Sequence, residues 1–269
     1  MPLEGESANF RCRAGAAPER GLSFAPLDRS APMPTSPAHR RRLYALVPCA
    51  GSGVRADTTT PKQYVEIAGR PLVAHTLAAL ASVPRLSRIL VVVAPDDVHY
   101  ERIATLPSDP RLTLARCGGA TRAATVAAGL AKLAGLGATP NDWVLVHDAA
   151  RCLIRAEWIE ALIDACRGDG IGGLLAVPVA DTLKQAEGER AVATLSRAGV
   201  WQAQTPLMFR LGVLSDALTR TPQATDEASA IEAIGLRPKL VAGSAENLKV
   251  THPADFAIAE ALLARRLHG

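Results

Sequence analysis

Aromatic side chains are scarce in this chain, at 4% of 269 residues. So few rings leave little platform for stacking bases, and a formal net charge of +4 falls short of the basic stripe of a nucleic-acid binder. Long apolar runs are missing too: no stretch reaches the length a bilayer-spanning helix needs. The five cysteines (Cys12, Cys49, Cys117, Cys152, Cys166) are odd in number and scattered, with no Cys-x-x-Cys pair. That pattern signals neither a zinc site nor a disulfide framework, and it fits a reducing, cytoplasmic location. The expected partners are small anions, with neither nucleic acid nor membrane among them.

What is present reads as an ordinary globular protein, 48% hydrophobic and 21% charged. Residues 1–41 stand apart. They are rich in Pro, Ser, Ala and Arg, lack apolar periodicity and have no signal-peptide core, so a disordered N-terminal extension is expected there. The remainder, 42–269, is expected to form one domain. Short apolar runs such as "LYALVP", "RILVVVAP", "RLTLARCGG" and "DWVLVHDAAR" alternate with helical patterns over 71–82, 120–135 and 157–167. Strands that are apolar throughout and alternate with helices predict an α/β fold, with a mostly parallel sheet covered on both faces. A further strand is expected over 172–185, running on through a proline. Two extended runs over about 181–206 flank "AEGER" and read as a protruding β-hairpin arm. Isolated hairpins are marginal in water, so such an arm is expected to pack on a second subunit.

Ligands of such sheets bind at the carboxyl ends of strands. The first strand-end loop belongs to "PCAGSGVRADTTTPKQY", residues 48–64. Gly51, Gly53 and Ala56 fit G-x-G-x-x-[GA], but the dinucleotide motif needs a helix to start at once, and "TTTP" intervenes. No Walker-type glycine-lysine loop is present. A third reading is a nucleoside-triphosphate loop: glycines let backbone N–H groups approach phosphate oxygens, while Arg55 and Lys62 supply two positive charges. The competing structural reading is a solvated turn carrying two surface cations.

These residues resemble the signature loop of the 2-C-methyl-D-erythritol 4-phosphate cytidylyltransferases. The resemblance continues in order through "CGGATRAATV", "WVLVHDAAR", "VADTLK", "WQAQTP", "TDEASAIE" and "ENLKVTHPADF", covering roughly residues 43–265. It implies a Rossmann-like fold and a homodimer joined through the arm. The implied reaction takes CTP and methylerythritol phosphate to the CDP-alcohol and pyrophosphate, with Mg²⁺. Related activities are a cytidylyltransferase for another polyol phosphate, such as ribitol 5-phosphate, or a non-catalytic nucleotide-binding protein.

The resemblance also implies roles. Arg55 and Lys62 match the catalytic pair. Ala50, Gly51, Gly53, Gly119, Thr125 and Lys249 match CTP contacts. Asp148, Arg151, Thr182, Arg197 and Thr205 match substrate contacts, with Asp148 a candidate metal ligand and with Thr182 and Arg197 serving the neighbouring subunit. Ala120, Cys152 and Leu207 depart from the family's usual polar residue, proline and glutamine. The attacking phosphate is already ionised at neutral pH, so the chemistry calls for cations and not for a general base. His147 is therefore read as structural. Asp226 is open between a helix cap and a site acid.

Overall fold

The computed structural model describes residues 41–51 and 60–268. Gly53, Arg55 and the N-terminal extension up to residue 40 lie outside the described residues.

The chain begins with β1 (Leu43–Pro48), a short 3₁₀ turn (Lys62–Tyr64) and a two-stranded ribbon of β2 (Glu66–Ile67) and β3 (Arg70–Pro71). It continues through α1 (Leu72–Ala81), β4 (Arg88–Val93), β5 (Leu112–Arg116), α2 (Arg122–Gly135), β6 (Trp143–Val146) and α3 (Ala156–Arg167). Next come β7 (Gly172–Pro178), β8 (Leu183–Glu187), β9 (Arg190–Leu195) and β10 (Trp201–Arg210). The end of the chain holds α4 (Leu211–Arg220), α5 (Glu227–Ala233), β11 (Lys239–Ala242) and α6 (Pro253–His268).

Seven strands form one sheet in the order β11-β7-β10-β6-β1-β4-β5. Every neighbouring pair is parallel except those made by β10, which runs antiparallel to β6 and β7. The period-2 alternation of side chains divides each strand between two cores. Ala45, Val47, Ile89, Val91 and Leu145 face one core with α1 and α3, while Leu46, Leu90, Val92, Val144 and Val146 face the other with α2 and α4. That is why these strands are apolar at successive positions. Gly129 lets α2 lie close on the sheet: a Cβ there would sit 2.6 Å from a Leu46 methyl. Helix α6 packs Ala259 and Leu263 with Ile67, Leu72, Leu153 and Val250 in a third, smaller core.

Two boundaries differ from expectation. The strand expected over 172–185 stops at Pro178, and Leu183 resumes in a separate two-stranded sheet with β9. The return limb of the arm is shorter than 206: Trp201 to Gln204 already pair with Pro178 to Leu175 in the central sheet. Burial of Leu207, Met208 and Phe209 between the two cores draws this segment into the sheet. The freestanding hairpin is therefore β8–β9, exposed along nearly its whole length.

Candidate active site

A cleft of about 510 Å³ opens at the carboxyl ends of β1, β5 and β6, walled by Ala50, Gly51, Lys62, Gly119, Thr125 and Ala150. Beside it lies a smaller cavity of about 220 Å³, walled by Arg151, Thr205, Thr225 and Asp226. Three side chains line both: Arg122, Asp148 and Lys249. The site is a pair of chambers with a charged partition.

The loop after β1 is held from beneath. Gln63, buried, donates from Nε2 to the carbonyls of Cys49 at 3.1 Å and Gly51 at 2.8 Å. Tyr64, next along the 3₁₀ turn, donates to Asp97 at 2.6 Å, and the other Asp97 oxygen accepts from the backbone N–H groups of His99 and Tyr100. Burial pushes the neighbouring Cys49 thiol up to about 12, so it stays a neutral packing group. Lys62 reaches across to α6's approach and donates to the Val250 carbonyl at 2.9 Å.

The loop after β5 depends on small residues. A side chain at Gly118 would collide with Ala50, and one at Gly119 would meet Ala124 at 2.6 Å. Only glycines let the first two loops touch here. Thr121 caps α2 by accepting from the Ala124 N–H at 3.1 Å. Thr125 is buried beneath the loop, donates to the Thr121 carbonyl at 3.0 Å, and accepts from the Gly119 N–H at 3.1 Å. Its hydroxyl is engaged with protein, so it shapes the cleft through Gly119.

The partition is ionic. Asp148 Oδ1 accepts from Arg122 Nε at 2.9 Å, and Oδ2 meets Lys249 Nζ at 2.7 Å. Burial alone would raise this carboxyl, but the two cations more than offset it and hold it well below the usual carboxylate range. Arg122 also donates from Nη1 to Glu227 at 2.7 Å. Glu227 is fully buried, its Oε2 has no hydrogen-bond partner among the described residues, and burial raises its pKa against the pull of Arg122.

Behind the partition runs a neutral polar web. The Asp148 N–H donates to Thr205 Oγ1 at 3.1 Å, and that hydroxyl pairs with His147 Nδ1 at 3.0 Å. His147 Nε2 contacts the Arg151 carbonyl at 3.2 Å. Both ring nitrogens are therefore engaged, and burial lowers the imidazole to about 4, which keeps it neutral. Arg151 Nη1 donates to the Asn247 carbonyl at 2.6 Å, and Asn247 Nδ2 donates to Gln204 Oε1 at 3.2 Å and the Thr205 carbonyl at 3.0 Å. A register shift between Gln204 and Leu207 frees Thr205 from the ladder to make these bonds, next to Pro206, which has no N–H to give.

The structure thus gathers Ala50, Gly51, Lys62, Gly119, Thr125, Asp148, Arg151, Thr205 and Lys249 around the two chambers. Thr182 and Arg197 lie exposed on the arm and line neither chamber of their own chain. Asp226 caps α5: its carboxylate accepts from the Ser229 N–H at 2.8 Å, and its own N–H donates to the Ser229 hydroxyl at 3.1 Å, a capping box. Four residues escaped sequence reasoning: Gln63, Arg122, Glu227 and Asn247. Arg122 was within reach, as a cation at the first turn of a helix that follows a strand-end glycine pair. Glu227 hid behind the capping Asp226.

Comparison with known proteins agrees with this geometry. The sequence model of the family described as "IspD: 2-C-methyl-D-erythritol 4-phosphate cytidylyltransferase" matches residues 43–265. The 2-C-methyl-D-erythritol 4-phosphate cytidylyltransferase of Dechloromonas aromatica is 53% identical over 226 residues, covering 84% of this chain and 99% of that protein. The bifunctional enzyme IspD/IspF of Albidiferax ferrireducens is 59% identical over 229 residues; the match covers 85% of this chain but only 54% of that longer protein. Among solved structures, a 4-diphosphocytidyl-2C-methyl-D-erythritol synthase superposes with a TM-score of 0.74 at 43% identity, over 83% of this chain and 99% of that one. The Francisella tularensis cytidylyltransferase gives 0.70 at 31% identity, over 82% and 99%. The family model spans most of the sequence and these relatives match it at high identity, so the chain belongs to the 2-C-methyl-D-erythritol 4-phosphate cytidylyltransferase family.

Proposed function

We propose that this chain transfers the cytidylyl group of CTP to 2-C-methyl-D-erythritol 4-phosphate. One observation carries the reading: a larger and a smaller chamber share a wall bearing Arg122 and Lys249 on either side of Asp148. CTP takes the larger chamber, with its base toward Gly119 and its triphosphate toward Gly51 and Lys62; Gly53 and Arg55 join it on the family resemblance alone. The acceptor takes the smaller one, against Arg151 and Thr205. An acceptor phosphate oxygen forms the new bond to the α-phosphorus, the bond between that phosphorus and the α–β bridging oxygen breaks, and pyrophosphate leaves with the electron pair. No proton moves, which agrees with a neutral, fully engaged His147. Arg55, assigned by the family resemblance, and Lys62 stabilise charge on the α-phosphate and the leaving group.

Magnesium enters with the substrate, as Mg·CTP held by phosphate oxygens and water. Asp148 does not fit a direct metal ligand, because each of its oxygens already faces a cation. Among the described residues no three His, Cys, Asp or Glu side chains come together as a metal site.

The arm completes the acceptor site of a second copy, with Thr182 and Arg197 as its contacts. Val192, Leu195, Val200 and Trp201 are large apolar side chains left exposed on and beside it, as a homodimer surface would be. On this reading the enzyme works in the cytoplasm, where scattered unpaired cysteines are common. Among the described residues no helix is long and apolar enough to cross a membrane. The four described cysteines are free thiols. Residues 1–41 are a dispensable extension, and a chain starting at Met33 retains activity on this reading.

Pyrophosphate release tests the function. With CTP and Mg²⁺, turnover is expected with methylerythritol phosphate and not with ribitol 5-phosphate. Equal turnover of ribitol 5-phosphate, or none with either acceptor, overturns the reading.

A further inference from the structure

Glu227 is a costly residue whose presence the reaction as proposed does not explain. It is fully buried, one carboxylate oxygen has no partner, and the other is spent on Arg122 at 2.7 Å. A buried carboxylate with half its hydrogen bonding unmet destabilises a fold unless it secures something elsewhere. Among the described residues its side chain's one hydrogen-bond partner is Arg122, which lines both chambers. Arg122 spends Nε on Asp148 and Nη1 on Glu227, and its Nη2 has no hydrogen-bond partner among the described residues.

We propose that Glu227 is a positioning residue that clamps the Arg122 guanidinium on the shared wall, so that its remaining N–H edge meets the acceptor phosphate beside the nucleotide. Without the clamp, Arg122 has one anchor, Asp148, and an arriving phosphate draws it into either chamber. With two anchors, at Nε and at Nη1, the guanidinium cannot follow the ligand. The four groups also balance: Arg122 and Lys249 carry two positive charges, and Asp148 and Glu227 carry two negative ones. The wall therefore does not trap phosphate in the ground state, and Arg122 is still in place when charge builds on the transferring group. Thr225 and Asp226, immediately before Glu227, line the smaller chamber, so the clamp also ties the start of α5 to the acceptor side.

The inference rests on the proposed reaction, and kinetics separate the two. Glu227→Gln keeps the shape and loses the charge; Glu227→Asp keeps the charge and draws the anchor back by one methylene. Each is expected to lower kcat/KM for methylerythritol phosphate about tenfold, with KM for CTP changed less than twofold and the melting temperature nearly unmoved. In an Arg122→Gln background, Glu227→Gln is expected to add less than a twofold loss, because the group it acts through is gone. A merely structural carboxylate would change the melting temperature on Glu227→Gln and leave the acceptor's kcat/KM alone. Should both Glu227 variants keep that constant within twofold of wild type, or should Glu227→Gln cost as much with Arg122 as without it, the clamp is overturned. Wild type that turns over neither acceptor overturns the functional reading first, and the clamp with it.

Discussion

The charged partition and the β8–β9 arm are built on opposite principles. At the partition both cations are anchored within the chain, Arg122 to Asp148 and Glu227 and Lys249 to Asp148, and behind it Arg151 is tied to the Asn247 carbonyl. Along the arm, Arg197 is exposed, and so are the large apolar side chains Val192 and Leu195. Preorganised dipoles and charges do not reorganise when charge develops, and this is where electrostatic catalysis gains most. Exposed apolar side chains on a two-stranded ribbon gain nothing until something covers them. One region has its contacts complete in a single chain; the other is left uncovered in it.

That contrast can be broken at several points. The largest expected effect is at the partition: Arg122→Ala leaves Glu227 buried with no counter-charge and should lower stability by about 3–5 kcal/mol. Urea unfolding at pH 7.5 measures it, and a loss under ~1 kcal/mol would mean that Glu227 finds another partner. Acid attacks the same region. His147 titrates at about 4 in the folded protein against 6.5 in its absence, so the unfolded chain binds the proton first. Stability should be full above pH 6.5 and should drain as pH falls toward 4, by about 3 kcal/mol in all. Asp148, also lowered, adds a loss in the same direction as pH falls below its ordinary value of 3.8. Replacing His147 by Asn should flatten the slope between pH 6.5 and 4 in a pH series of unfolding curves.

Lys62→Ala should cost on the order of 10²-fold in kcat, about 2.7 kcal/mol, because Lys62 lines the cleft from a turn held by Gln63 and Tyr64. Near-normal turnover in steady-state kinetics would remove it from the reaction. The smallest effect on a single chain is at the arm. Leu195→Asp should leave unfolding within about 0.5 kcal/mol and yet abolish dimers in sedimentation and raise KM for the acceptor. Mixed dimers of Arg197→Ala with Lys62→Ala should recover activity that neither homodimer shows; no recovery means that the sites are not shared.

How much of this was legible beforehand follows from the range of the forces. Strands and helices of the central sheet could be read because both faces are buried, so whole apolar runs announce them. The sheet order and the antiparallel β10 could not: nothing local to "WQAQTPLMFR" says that Leu207 to Phe209 insert between β6 and β7. Lys62, Asp148 and Lys249 were legible as charges near strand ends, through the family resemblance. The roles of Thr125 and Thr205 were legible only in part, because their hydroxyls serve the protein and not open space. Glu227 was illegible, since its one partner lies 105 residues away. A contact of that span has no local periodicity to betray it.

Strand β10 joins the two halves of the comparison in one piece of backbone. Trp201, exposed, sits at its arm end; Thr205, four residues on, holds the amide of Asp148; Phe209 is locked in the core. Four residues of extended chain span about 13 Å. A neighbour that covered the indole would thus press within one short stretch of strand of the hydroxyl that holds the Asp148 amide, and quaternary contact at one end would become a strain on the proposed site at the other.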